Sequence, residues 1–114
     1  MLEIKERGIL ENIISFCLRV EEKMNGITRR EFDNNEDTKD IVCFNIFQIG
    51  EIAKKLSSSF IKEYSKVPWK SIKGMRDWVG HGYFTIDLDD VWETASNEIS
   101  VLREYCESIL KNNQ

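Results

Sequence analysis

The chain has 114 residues, of which 41% are hydrophobic and 32% are charged. This size is sufficient for a buried core without disulfides or a structural metal, and we predict one domain over residues 1–114. A single histidine excludes a site built from several histidines of one chain. The net charge of −4, taken alone, predicts no nucleic-acid partner.

The cysteine content and the hydropathy of the chain indicate the cellular compartment in which we expect the protein. Cys17, Cys43 and Cys106 are odd in number and lack CxxC spacing, so we expect reduced thiols in the core. The longest uncharged run, 41–50, is half of the roughly 20 residues that a membrane-spanning helix needs. We therefore expect a cytoplasmic protein without a membrane segment.

Three long segments carry apolar residues at helical spacing, and no segment alternates with a period of two. The first runs from Leu10 to Met24 and stops at Asn25-Gly26. The second runs from Val42 to Leu56, and the third from Leu88 to Ile109, with Trp92 in its stripe. Such stripes are typical of helices packed side by side, so we predict an all-α fold, a small antiparallel helical bundle.

Shorter elements connect these helices. Thr28-Arg29-Arg30-Glu31 has the pattern of a capping box that opens a brief helix. The segment Phe60 to Tyr64 either extends the second helix or forms a turn of its own. Pro68 suits the first position of a short helix through Ile72, and Asp87 suits the N-cap of the last helix.

Five apolar residues lie off the predicted stripes, more than a small bundle can bury internally. Gly50 lies in the middle of a helix, where glycine costs about 1 kcal/mol relative to alanine unless a close backbone approach compensates. Together these features predict a second packing surface, most simply a homodimer, with an irregular monomer surface as the alternative. The five residues are Ile14, Leu18, Phe44, Phe47 and Leu110.

Residues 75–84 contain the only histidine, His81, together with Arg76 and Tyr83. Glycines on both sides of His81 predict a helix end there, where carbonyl dipoles favour the imidazolium form. Arginine offers paired donors to phosphate oxygens, and histidine can move a proton at neutral pH. The set permits metal-free cleavage of RNA through its 2′-hydroxyl. A lone histidine at a helix end is more often a cap or surface residue, so these residues alone leave both readings open.

Arg76 and His81 are separated by about 140° on an ideal helix, so one regular helix cannot present both on one face. Distortion at the helix end, a wrapped arginine or a second chain would bring them together. The charge distribution favours an anionic ligand nearby, because residues 54–76 sum to +6 and the remainder to −10. Lys66, Lys70 and Lys73 are candidates for RNA contact, although lysines alone equally fit a solvated helix face.

The pattern Arg76-x4-His81-x-Tyr83 resembles the R-x4-6-H-x-Y motif of HepT-like toxins in the HEPN superfamily. Other matched segments follow in the order and spacing typical of that family, and the resemblance covers nearly the whole chain, weakest over the first 35 residues. These segments are Ile49-Gly50-Glu51 with Ala53, Pro68-Trp69, Gly74-Met75-Arg76, His81-Gly82-Tyr83-Phe84, Ile86-Asp87 and Val91-Trp92.

The resemblance implies a helical homodimer with two motif copies in a cleft at the interface, acting as a metal-independent endoribonuclease. It assigns phosphate binding to Arg76 and general acid–base chemistry to His81. It also equates Tyr83 with the tyrosine that a partner nucleotidyltransferase antitoxin, of the MntA type, modifies with AMP. Asp77 occupies a position where asparagine is commoner, and it either orients Arg76 or weakens RNA affinity.

We therefore expect the toxin of a type VII toxin–antitoxin pair, an RNA-cleaving enzyme that needs no cofactor and no metal. The alternative is a non-catalytic helical dimer that binds RNA or nucleotide, or that serves as partner and substrate of the nucleotidyltransferase. Asp77 and the acidic overall balance favour the alternative slightly.

Overall fold

The computed structural model describes residues 2–80 and 87–113, and for residues 75–80 it describes the backbone alone. All regular structure in these ranges is helical, so the predicted all-α class is confirmed. Every helix in them is too short or too polar to cross a bilayer. The elements are α1 (Ile4–Met24), α2 (Arg29–Asp33), α3 (Glu36–Ala53), α4 (Ser58–Glu63), α5 (Trp69–Gly80), α6 (Leu88–Glu93), a π-helical turn (Thr94–Glu98) and α7 (Ile99–Asn112).

The predicted helix starts are largely confirmed by side-chain caps. The hydroxyl of Thr28 accepts from the Glu31 amide at 3.1 Å, and the Glu31 carboxylate accepts from the Thr28 amide at 3.1 Å, which completes the capping box. The carboxylate of Asp87 accepts from the Asp89 amide at 2.8 Å. Ser57 caps α4 by accepting from the Phe60 amide, so this segment is a separate helix.

The helix after Pro68 differs from the prediction. Its first intrahelical bond runs from the Ile72 amide to the Pro68 carbonyl, so Pro68 precedes α5 instead of opening it. The helix also continues past Ile72 to Gly80. It is anchored at its start by the Trp69 indole, which donates to the Tyr64 carbonyl at 3.0 Å, and it packs along α3. Burial against α3 sustains the two extra turns that local sequence does not indicate.

Four helices form the bundle in the order α7, α1, α3, α5, each packed on the next. Arg103 of α7 pairs with Glu21, near the end of α1, whereas Arg7 donates to the Asn113 carbonyl beyond α7. These contacts make α1 and α7 antiparallel, as predicted. The core is one apolar cluster, whose α3 stripe is Val42, Ile46, Ile49 and Ala53, and whose α1 stripe is Ile9, Leu10, Ile13, Cys17 and Val20.

The last predicted helix is divided by the π-helical turn, in which the Ile99 amide bonds to the Thr94 carbonyl. A π turn contains one residue more than an α turn, so the buried stripe changes register. Val91 is therefore buried, and Trp92, which the sequence placed in the stripe, is half-buried. The Trp92 ring packs against Phe32 at 5.5 Å between centroids.

The three cysteines are free and buried, which confirms the prediction of reduced core thiols. Burial raises the pKa of Cys43 to about 11 and that of Cys106 to about 12, and it raises the pKa of Cys17 as well. All three are therefore neutral thiols at physiological pH and packing residues of the core.

The ion pair between Glu21 and Arg103 links the two halves of the chain. The Glu21 carboxylate accepts from Arg103 Nε at 2.6 Å and Nη2 at 3.0 Å, and from the Ser100 hydroxyl at 2.6 Å. Both side chains are less than a quarter exposed. Hydrogen bonds from Arg103 hold the pKa of Glu21 below its usual value. The pair therefore stabilises the fold near neutral pH, and this contribution disappears as the pH falls through the folded-state pKa.

We predict that Glu21→Gln lowers the free energy of unfolding by about 1–2 kcal/mol at pH 7, because Arg103 loses a charged, two-point acceptor. Urea unfolding measured from pH 7 downwards checks this, and the difference from the parent should shrink with acidification. Glu22→Gln, at the exposed neighbouring position, is the control. Equal stabilities of Glu21→Gln and the parent at pH 7 would contradict the assignment.

Candidate functional site

The candidate site lies at the C-terminal end of α5. The backbone of Arg76 and Asp77 belongs to the last described turns of this helix, which the structure describes as far as Gly80. The helix end predicted at His81 lies outside the described residues. His81 and Tyr83 lie outside the described residues, and so do the side chains of Arg76 and Asp77. Their mutual geometry therefore stays a prediction, and the structure defines the frame that carries them.

The start of α6 is fixed beside the same end of the bundle. Arg29 of α2 bonds to Asp33 at 2.9 Å and to Asp89 of α6 at 2.8 Å. Its guanidinium also lies over the Trp92 ring, 6.0 Å from the centroid. These contacts hold α6 against α2. Residues 81–86 are therefore flanked by two packed elements, α5 up to Gly80 and α6 with its cap Asp87.

Acidic residues near Asp87 have structural roles. Asp87 caps α6, and Asp89 pairs with Arg29. Nowhere in residues 2–80 and 87–113 do three His, Cys, Asp or Glu side chains group as metal ligands would. The interpretation of these aspartates as helix caps and ion-pair partners therefore fits the structure.

The three lysines predicted to contact RNA lie before α5 and along its first half instead of clustering at its C-terminal end. Lys66 precedes the helix, Lys70 is exposed on its first turn, and Lys73 is partly exposed one turn later. Twelve helical residues span about 18 Å, so Lys66 and the motif lie at opposite ends of α5. An RNA that contacts both these lysines and the motif would have to run along α5.

A groove separates α5 from α7 and is not evident in the sequence. Buried Ile72 and Leu102 form its floor, exposed Val101 and Tyr105 form its rim, and its volume is about 320 Å³. Its polar lining consists of Ser71, Asn97 and Glu98. One signal was available in the sequence: apolar residues at 101 and 105 adjoin the buried stripe positions 102 and 106 and widen the apolar face of α7.

The family model described as "Ribonuclease HepT-like" matches residues 11–109, from α1 through α7. The chain belongs to the HepT-like ribonuclease family. The match confirms the family that the motif indicated, and it includes the segment with Arg76, His81 and Tyr83. No solved structure matches the chain significantly.

Curated relatives agree with the family model. "Putative RNase TTE0752" from Caldanaerobacter subterraneus subsp. tengcongensis is 35% identical over 105 residues, which cover 92% of this chain and 94% of the relative. "Putative RNase MJ0125" from Methanocaldococcus jannaschii is 33% identical, with 93% of this chain and 91% of the relative covered. "Probable ribonuclease HepT" from Thermococcus cleftensis is 28% identical, with 92% and 96% covered.

Proposed function

We propose that the protein is a metal-independent endoribonuclease that cleaves RNA by attack of a 2′-hydroxyl on the adjacent phosphate. The observation that carries the proposal is the family match across residues 76–81, and the backbone of Arg76 belongs to a helix packed on α3. Arg76 binds the phosphate oxygens and stabilises the charge that develops on them in the transition state. His81 transfers the protons.

The bond changes balance without a further reagent. An imidazole takes the proton of the 2′-hydroxyl, the O2′–P bond forms, and the P–O5′ bond breaks. An imidazolium returns a proton to the departing O5′. The products are a 2′,3′-cyclic phosphate and a 5′-hydroxyl. A base and an acid are needed on opposite sides of the phosphorus, and two copies of His81 in one dimeric site would supply both.

The proposed enzyme is a homodimer whose second copy packs on the groove between α5 and α7. Among the described residues, α7 packs on α1, α1 on α3 and α3 on α5, whereas a groove separates the start of α5 from α7. On the rim of the groove, Val101 is 51% exposed and Tyr105 is 37% exposed. One wall of the groove is formed by α5, which is also the helix that bears Arg76. Docking there would bring two α5 helices together and would assemble a site from both chains.

The biological role that we propose is that of a toxin held inactive by a nucleotidyltransferase antitoxin of the MntA type. Attachment of AMP to Tyr83 would add bulk and a negative charge two residues from His81. A phosphate at that position would compete with the RNA phosphate for Arg76, which is a sufficient physical block.

A non-catalytic RNA-binding or nucleotide-binding dimer is the second candidate. Asp77 favours it, because a carboxylate directly after Arg76 can pair with the guanidinium and repel the substrate phosphate. Asp77→Asn therefore serves as a diagnostic: faster cleavage would show that the carboxylate limits activity, and slower cleavage that it orients Arg76.

We predict that Arg76→Ala and His81→Ala each slow RNA cleavage at least 100-fold and abolish growth inhibition, because phosphate binding and proton transfer are lost. Single-turnover cleavage in the presence of chelator checks this. Arg30→Ala, an exposed arginine on α2, controls for a general loss of positive charge. Unchanged cleavage by the His81 variant, prepared free of contaminating nuclease, would overturn its role.

We predict that Tyr105→Glu shifts the protein from dimer to monomer in light scattering coupled to size exclusion, because a carboxylate would be buried at the groove. Leu18→Glu is the matched control, since Leu18 is 50% exposed on α1, away from the groove lining. A Tyr105→Glu variant that stays as dimeric as the parent would exclude this face as the dimer interface.

We predict that co-expression with the antitoxin increases the intact mass by one or more AMP units, and that Tyr83→Phe removes the increase. Tyr64→Phe, at a half-buried tyrosine outside the motif, should leave it unchanged. An AMP-free protein that is nevertheless inhibited would refute inhibition through Tyr83 modification.

A further inference from the structure

The π-helical turn before Ile99 gives α6 a different register from the one that a regular helix would have. Counted back from Ile99, a regular helix would bury Ala95, four residues earlier, and Trp92, seven residues earlier. The π turn adds one residue, so Val91 lies in the buried stripe at 1% exposure and Trp92 stays half-buried. The two registers differ by a rotation of α6 of roughly 100° about its axis.

The observed register sacrifices apolar burial. A tryptophan side chain removes more apolar surface from water than a valine, so the regular register would bury the larger residue. The observed register also buries Thr94, which is 1% exposed and whose hydroxyl donates to the Glu98 carboxylate at 3.1 Å. Contacts from outside α6 and α7 must therefore stabilise the observed register.

The described contacts of this kind come from α2. Asp89 and Trp92 are three residues apart and lie on one side of α6. The Arg29 guanidinium donates to Asp89 at 2.8 Å and lies over the Trp92 ring, 6.0 Å from its centroid. The same ring packs against Phe32 at 5.5 Å between centroids. A rotation of roughly 100° would turn this side of α6 away from α2 and would break these contacts.

Arg29 is itself held in place within α2. Its Nε donates to Asp33, one turn later, at 2.9 Å. The guanidinium is therefore already ordered when it binds Asp89, and its planar group can serve a carboxylate and an indole face together. The two carboxylates have different roles, because Asp33 orients Arg29 from within α2, whereas Asp89 belongs to the helix that Arg29 holds.

The register of α6 determines where Asp87 lies, because Asp87 caps this helix. In the chain, residues 81–86 connect Gly80 of α5 to Asp87. This segment contains His81 and Tyr83, so the orientation of α6 fixes one end of the segment with the proposed acid–base residue. Displacement of a reacting group by about 1 Å is sufficient to slow catalysis strongly.

We propose that Arg29 is a positioning residue, which selects the observed register of α6 and thereby places the segment with His81 for RNA cleavage. Arg29 acts through Asp89 and Trp92 and does not contact the substrate. The inference rests on the proposed function for its effect on cleavage, whereas the selection of the register by Arg29 can be measured without RNA.

The register is measured through Trp92 in protein labelled with 5-fluorotryptophan. Fluorine NMR gives one resonance for each tryptophan, and Trp92→Phe identifies the resonance of residue 92. Asp89→Asn should add a second resonance with a smaller solvent isotope shift, because Trp92 is buried in the regular register. Asp33→Asn is the matched control, since it removes a bond of Arg29 within α2 and leaves Asp89 bound, so it should keep the parental spectrum.

Cleavage is measured in a double-mutant cycle of Arg29→Gln and Asp89→Asn at saturating protein. Each single variant should lower the maximal rate constant about 10-fold and change the half-saturating concentration less than about 2-fold, because the site is displaced while RNA contacts remain. The double variant should be no slower than Arg29→Gln, because both changes break the same contact. Asp33→Asn should cleave like the parent, and the stabilities should differ little because exposed ion pairs contribute little.

Deletion of Ser96 provides a rescue. It removes the additional residue of the π turn, so Val91 then precedes Ile99 by seven residues, the spacing of one buried stripe in a regular helix. The observed side of α6 is then buried without the help of Arg29. In this background Asp89→Asn should neither slow cleavage nor add a second resonance.

Three results would overturn the inference. The first is a parental fluorine spectrum in Asp89→Asn, and the second is additive losses of cleavage in the double variant. The third is an equal loss of cleavage in Asp33→Asn and Asp89→Asn, which would indicate a general effect of charge. Parental protein that cuts no RNA but gives the expected Trp92 spectra would refute the proposed nuclease and would support the selection of the register by Arg29.

Discussion

The structure depends on α3, whose apolar stripe is buried against α1 on one side and α5 on the other. Val42, Ile46, Ile49 and Ala53 are all at most 1% exposed, and they connect the N-terminal helix to the helix that bears the motif. Burial of such side chains is worth about 1.5–3 kcal/mol each for the larger ones, so few single contacts elsewhere compare with it. The contacts of Arg29 with Asp89 and Trp92 hold α6 against α2. They fix the position of α6, which follows residues 81–86 in the chain.

This arrangement leaves α5 with two different sides. One flank packs on α3, whereas the other borders an apolar groove that faces α7. A ribonuclease that acts as a dimer needs both a surface for RNA and a surface for its second copy. The groove is the surface that we propose for the second copy, and its α5 lining, Ser71 and Ile72, belongs to the first turn of that helix.

Local sequence sufficed for features that depend on neighbouring residues. The Thr28 capping box and the Asp87 cap are both short-range, and each was predictable. The extension of α5 beyond Ile72 was not, because it depends on packing against α3. The Glu21–Arg103 pair joins residues 82 apart, and the register change at Val91 results from a π turn, so neither leaves a local signal. The sequence identified Lys66, Lys70 and Lys73 as a group. That Lys66 precedes α5, whereas Lys70 and Lys73 belong to it, became evident only from the bounds of the helix.

We propose that RNA is cut by its own 2′-hydroxyl, with protons moved by protein side chains and no metal involved. The most direct measurement compares one RNA oligonucleotide with the same oligonucleotide bearing a single 2′-deoxy residue at the cut position, both in excess chelator. We expect cleavage of the all-RNA strand to a 2′,3′-cyclic phosphate and no cleavage at the deoxy position. Equal cleavage of both strands, or cleavage only when a divalent metal is restored, would contradict it.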